Sequence, residues 1–129
     1  MVVDVDGMSE INAVYGHDRG DYFLAVVRRE LCAAIPQRAV MADLGGDAFA
    51  IALPKAGQAA GARRALSVVR RLGRDRLRLS SEPEVPLRVS VGGASCTSHD
   101  SAMSMLRDAH DALVAAKRHR GGTVVWNGR

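Results

Sequence analysis

The amino-acid sequence predicts an α+β layered domain, a sheet carrying an antiparallel hairpin with helices against one face. Three observations carry that expectation. Short valine- and alanine-rich runs alternate with longer segments whose apolar residues recur at helical spacing. A Gly45-Gly46-Asp47 turn separates two of the short runs. The resulting order is strand, helices, hairpin, helix, strand, helix, strand, which suits a layered mixed domain.

Met1 to Asp6 is valine-rich and ends in Asp-Val-Asp-Gly, the pattern of a buried strand running into a turn. Ser9 to Tyr15 fits a short helix, with Ser9 as its cap before Ile11 and Val14, and residues 16–20 interrupt it. A longer helix follows from about Asp21 to Ala34, because Phe23, Val26, Val27, Leu31 and Ala34 share one face, and Pro36 stops it. Val40 to Leu44 and Ala48 to Leu53 read as two strands of a hairpin. The Gly-Gly pair supplies the positive backbone angles of a tight turn, and Phe49 and Ile51 alternate with alanines. Residues 57–72 form an Ala/Arg helix, followed by a polar connection with Pro83 and Pro86. Leu87 to Ser95 alternates as a strand, with Leu87, Val89 and Val91 on one side. Ala102, Met105, Leu106, Ala109, Leu113 and Ala116 give a last helical stripe; Gly121-Gly122 ends it, and Thr123 to Trp126 is a short strand.

With 129 residues, 47% apolar and 25% charged, the chain can bury a core without staples, as one domain over residues 1–129. No run approaches the ~18 apolar residues of a membrane span. Acids lie inside the first apolar stretch and no basic lead precedes it, unlike a signal peptide. Cys32 and Cys96 lack metal-ligand spacing and are expected as reduced, buried thiols. A cytoplasmic protein without membrane partners follows. The net charge of +4 and the pI of 9.7 favour anionic partners. Much of the excess is a cluster, Arg63, Arg64, Arg70, Arg71, Arg74, Arg76 and Arg78, which is either a solvated helix face or a phosphate or nucleic-acid patch, with nucleic acid the less favoured.

Asp4 and Asp6 point to one side of the first strand, and Asp47 stands on the glycine hairpin. An aspartate at the end of an apolar strand is costly to bury unless paired or bound to a cation. If the hairpin lies next door, the three acids form a hard oxygen cluster of the kind magnesium favours, suited to phosphoryl or nucleotidyl transfer. The alternative is that they cap turns and nothing more. Gly45 and Gly46 would let backbone amides approach a phosphate or base edge.

Five ordered segments stand out: Asp4-Val5-Asp6-Gly7-Met8-Ser9-Glu10-Ile11-Asn12, the ungapped Gly16-His17-Asp18-Arg19-Gly20-Asp21, Leu44 to Phe49, Ser90-Val91-Gly92, and Ala109 through Lys117. Together they resemble the GGDEF, or diguanylate-cyclase-like, family. The resemblance implies a ferredoxin-like, palm-type nucleotidyl-cyclase sheet. It also implies magnesium bound by Asp4, the Val5 carbonyl and Asp47, with Asp47 as the proposed base. Asn12 and Asp21 would read guanine, while amides near Gly7 and Met8, with Lys117, would hold the triphosphate of GTP. Active members of the family work as transient homodimers that make cyclic di-GMP.

The match has gaps. Ala48 stands where the family has glutamate, and Ser9 replaces a lysine that would face phosphate charge. Asp43 stands near an expected arginine, Gly121 near an expected basic residue with Arg120 beside it, and Val114 for a tyrosine. The family's inhibitory Arg-x-x-Asp site aligns with Pro36-Gln37-Arg38-Ala39, so it is absent. The helix and Leu-Thr-Gly-Leu-like loop that usually precede the first strand are missing, through loss or because the chain is a fragment. His17 is expected to order its loop, His110 to lie on a half-exposed helix face, and Trp126 to pack.

Three functions stay open on these grounds. A degenerate GGDEF module would bind GTP·Mg or a protein partner with little or no turnover. A working diguanylate cyclase would manage with Asp4 and Asp47 for metal. A basic interaction domain would use the arginine helix.

Overall fold

Alternation along the first strand decides the layering. In the computed structural model, which describes residues 1–74, 76–77, 85–96, 101–119, 122 and 124–127, β1 (Val2–Val5) sends Val3 and Val5 to one face of the sheet and Val2 and Asp4 to the other. It is the central strand. With β2 (Val40–Asp43), β3 (Ala48–Ala52), β6 (Val89–Ala94) and β7 (Val124–Asn127) it forms a five-stranded sheet in the order β2-β3-β1-β6-β7. β1 runs antiparallel to both β3 and β6, and β6 pairs in parallel with β7. Met1 extends the ladder, its amine donating to the Ile51 carbonyl at 2.7 Å and its carbonyl accepting from the Ile51 N–H at 2.8 Å.

The Val3/Val5 face carries the main core. α2 (His17–Ala34) and α3 (Gln58–Arg74) lie against it, with Phe23, Val27 and Leu31 from one and Ala65, Val68 and Leu72 from the other. Phe49, Ile51, Leu87, Val89 and Val91 answer from the sheet, so the expected alternations in the hairpin and in residues 87–91 hold. Each large side chain so buried contributes on the order of 1.5–3 kcal/mol.

The expectation of helices on a single face is corrected. α4 (Ala102–Lys117) packs on the opposite face, where Ala109 and Leu113 meet Val2. The first face is already filled by α2 and α3. Gly92, the ladder partner of Val2, admits the helix: a Cβ there would collide with the backbone N of Leu113 and the backbone O of Ala109. α4 therefore rests directly on the β6 backbone. Over β2 and β3 that face stays open, leaving Val40, Leu44 and Met103 exposed.

Other boundaries shift for local reasons. α1 (Met8–Tyr15) starts at Gly7, whose φ of 78° turns β1 straight into the helix, so Ser9 lies inside the first turn and is no cap. Gly16 alone breaks the next two helices, its N–H bonding Asn12 O and its O accepting from Gly20 N; α2 begins at His17, and His17 is an exposed helical residue rather than part of a loop. Cys32 and Cys96 are free but exposed, not buried: Leu31 takes the inward position of α2, and Cys96 lies beyond the end of β6. In the polar connection after α3, Arg76–Leu77 and Val85–Pro86 pair as a two-stranded ribbon (β4 and β5), while Pro83 lies outside the described residues. Trp126 packs as expected, its ring in a slot that a Cβ on Gly61 or Gly93 would close, and its Nε1 donates to Ser95 Oγ at 3.1 Å. Among the described residues no helix is long and apolar enough to cross a membrane.

The seating at Gly92 yields a quantitative expectation. Gly92→Ala should destabilise the domain by about 1–3 kcal/mol, the usual range for an overpacked core, because the obstruction is backbone and cannot swing aside. Urea unfolding would show the midpoint falling; an unchanged midpoint would mean α4 is not held by that contact.

Candidate functional site

The site grows from the middle of β1. Its register pairs Asp4 with Ala48 on β3 and with Ser90 on β6, so Asp4 sits at the centre of the sheet on the α4 face. The hairpin brings Asp47 alongside: Val5 N donates to Asp47 O at 3.0 Å. Gly45 and Gly46 have φ of 87° and 61°, as the tight turn demands. Asp43 braces that turn, accepting the Gly45 N–H on Oδ1 at 2.8 Å. Ala48 therefore stands directly across from Asp4, where cross-strand Cβ atoms lie ~5 Å apart.

Lys117 reaches the same carboxylate from α4, its Nζ donating to Asp4 Oδ1 at 2.5 Å. The geometry follows from the seating of the helix. Leu113 packs on Val2; one helical turn on is Lys117, and two strand residues on is Asp4. Four helical residues rise ~6 Å and two strand residues ~6.6 Å, so the two stay in step. Burial raises the Asp4 pKa above its ordinary value of 3.8; the Lys117 hydrogen bond and charge oppose this, while Asp47 and Asp6 add to it.

Asp6 does not join that pair as a free ligand. Its Oδ1 accepts from the buried Ser90 hydroxyl at 2.8 Å and its Oδ2 from Gly122 N at 3.0 Å, which ties β1 to β6 and to the segment after α4. The three-acid cluster thus divides into Asp4 and Asp47, which lie near each other, and Asp6, which holds the frame. Among the described residues, no group of three or more His, Cys, Asp or Glu side chains is arranged around a metal position. The donors that fit a hard cation are Asp4 and Asp47, with the Val5 carbonyl between them in sequence; two carboxylates with an oxygen-rich remainder suit magnesium, which keeps several waters and phosphate oxygens.

Two further groups belong to α1, which follows β1 directly through Gly7. Gly7 provides no side-chain cap, so the Met8, Ser9 and Glu10 amides at the start of α1 have no intrahelical acceptor and present partial positive charge. Asn12 on α1 lies against α2 at Gly20, where a Cβ would strike its Oδ1. Asp21 follows Gly20 and is exposed, so Asn12 and Asp21 share the α1–α2 junction. Sequence reasoning missed Gly92, Asp43 as the turn brace, and the Asp6–Ser90 tie. For Asp6 the available signal was Ser90, a hydroxyl inside an otherwise apolar strand. Residues elsewhere stand apart: His110 is exposed on α4 beside Leu106 and Met103, and Arg63, Arg64, Arg70, Arg71 and Arg74 are exposed along α3, with Arg71 4.0 Å from Glu30. The side chains of Arg76 and Arg78 lie outside the described residues.

A five-stranded mixed sheet with a glycine hairpin against a central aspartate defines the palm-type nucleotidyl-cyclase fold. More particularly, the chain belongs to the GGDEF family: the family model described as "Diguanylate cyclase, GGDEF domain" matches residues 1–123. It is similar to diguanylate cyclase DosC of Escherichia coli (strain K12), with 28% identity over 98% of this chain and 28% of that protein. It also resembles the probable diguanylate cyclase DgcC of the same organism, with 32% identity over 92% of this chain and 32% of that protein. The chain thus spans about a third or less of these curated relatives. Among solved structures it resembles the GGDEF domain of YfiN or TpbB from Pseudomonas aeruginosa, at 30% identity and TM-score 0.89 over 97% of this chain and 78% of that one. The GGDEF domain of DgcB from Caulobacter crescentus, in complex with c-di-GMP, is similar at 25% identity and TM-score 0.90 over 97% and 72%.

The raised Asp4 pKa sets a pH dependence. A carboxyl raised above 3.8 on folding stabilises the fold fully below that value, and the contribution is lost as pH rises through the raised folded value. At neutral pH in metal-free buffer, Asp4→Asn should therefore raise Tm by a few degrees, and the gain should vanish on acidification below 3.8. A lower Tm for the variant at neutral pH would show that the Lys117 pair outweighs the burial.

Proposed function

We propose that this chain is a degenerate GGDEF module of cyclic di-GMP signalling that binds a guanine nucleotide with magnesium and turns it over slowly or not at all. One observation carries the reading: the residue directly across from Asp4 is Ala48. In the motif that names the family this position is glutamate, and here a methyl group leaves the centre with Asp4 and Asp47 alone. Removing one such preorganised charge commonly costs ~10²–10³ in rate. Ser9, in the first turn of α1, likewise offers a hydroxyl where the family has a lysine.

The binding surfaces are retained. Asn12 both donates and accepts, and Asp21 accepts from guanine's amino and imino hydrogens. The amides near Gly7 and Met8, those of the Gly45-Gly46 turn, and Lys117 suit phosphates. Asp4, the Val5 carbonyl and Asp47 would hold magnesium, which supplies charge neutralisation at the phosphates when bound. The cytoplasm is the compartment that supplies GTP, and a homodimer or another protein would be the partner that reads the bound state. A second reading, a working diguanylate cyclase with Asp47 as base, is supported by the hairpin bringing Asp47 alongside the end of β1, near Asp4.

Incubation at high protein concentration with GTP and magnesium, followed by chromatography, separates the two. The expected result is an unchanged GTP peak for the natural chain and cyclic di-GMP once Ala48→Glu is introduced. A cyclic di-GMP peak from the natural chain that Asp47→Ala abolishes would establish the cyclase instead. By calorimetry GTP should bind in preference to ATP, and Asn12→Ala should weaken it about tenfold, the ~1.4 kcal/mol of a hydrogen bond lost in a half-buried site. Equal affinity for ATP and GTP would sink the guanine assignment.

A further inference from the structure

We propose that Lys117 is the resident cation of the nucleotide-free site: its ammonium holds the place on Asp4 that a divalent metal would take, so that metal enters only with a triphosphate that draws Lys117 away. The inference rests on the magnesium and nucleotide reading above and adds an order to it. The ammonium lies on Asp4 Oδ1 at 2.5 Å. Nothing across the ladder competes for Asp4, because Ala48 offers only a methyl group and the Ser90 hydroxyl donates to Asp6. The second acid, Asp6, is committed to Ser90 and Gly122 and cannot move in to share a metal.

The position of Lys117 is built in. α4 is seated on the β6 backbone at Gly92, and Leu113, one turn earlier, is pressed onto Val2. The Asp6 bond to Gly122 anchors the segment that follows the helix. The base of the side chain is therefore fixed, while the side chain as a whole is 40% exposed and its four-carbon stem free to swing. That is the combination a displaceable counter-ion needs.

Electrostatics gives the order of events. An ammonium and a divalent cation on one carboxylate repel each other strongly at ~4 Å. With Asp4 occupied, a metal ion alone would have Asp47 and a backbone carbonyl, too little for magnesium, which gives up water reluctantly. A triphosphate changes both terms. It brings oxygen ligands for the metal, and it offers Lys117 a denser anion than a single carboxylate. No proton moves; the ammonium exchanges one anionic partner for another.

The test uses manganese as the probe, read as loss of the free-ion electron paramagnetic resonance signal on titration into nucleotide-free protein. Lys117→Gln should bind manganese at least tenfold more tightly than the natural chain, and Lys117→Arg, which keeps the charge, should bind as weakly as the natural chain. Adding Asp4→Asn to Lys117→Gln should remove the gain. Lys117→Gln no tighter than the natural chain would overturn the inference, as would a gain that survives Asp4→Asn. Melting curves of the variants verify folding, and Lys117 being exposed makes that check straightforward. Calorimetry with GTP and magnesium on the natural chain is the separate arm. Failure there with success in the manganese arm removes the nucleotide reading and leaves Lys117 as the cation excluding metal; the reverse keeps the reading and discards the exchange.

Discussion

A side chain at Gly92 would lift α4 off the sheet, and Lys117 would leave Asp4 with it. The missing Cβ lets helix backbone lie on strand backbone, next to the point where Val2 receives Leu113. From that contact the matching rise of helix and strand carries Lys117 to Asp4 without further adjustment. The opposite face has its own close approach at Gly20, where Asn12 is pressed against α2. Asn12 and Asp4 are thus held by different layers of the domain, and the β1-to-α1 turn at Gly7 joins the two.

Charge is distributed with similar economy. Of the acids around β1, Asp6 is used up as a brace between strands and the segment after α4, and Asp43 holds the hairpin turn. Asp4 and Asp47 stay outside that frame, with Lys117 paired to Asp4. Buried acids are expensive unless paired, and here each is either hydrogen-bonded into the frame or left where a cation can reach it.

How much of this was legible in the sequence depends on the range of the interaction that decides it. The helices and the long strands follow from local periodicity, and the hairpin from Gly45-Gly46, so the adjacency of Asp4 and Asp47 could be anticipated. The Lys117–Asp4 pair spans 113 positions and was not anticipated: family resemblance pointed to Lys117 only as a phosphate-binding residue. Which face α4 would take was hidden because its stripe shows only that it packs, whereas the choice turns on one glycine across the sheet. The thiols misled for a related reason: composition favours burial of cysteine, but Leu31 already fills the inward position beside Cys32. The β4–β5 ribbon has two residues per strand, too few for any alternation to show.

The slot that holds Trp126 has a practical meaning. It is the single tryptophan of the chain, wedged between α3 and β6 at two glycines and hydrogen-bonded through Nε1 to Ser95. Its emission therefore reports on the docking of the last strand, on the sheet face opposite the one that carries Asp4 and Lys117. Ligand titrations should leave that light nearly untouched while unfolding changes it, which makes the domain its own optical thermometer, with occupancy of the site and integrity of the fold read on separate channels.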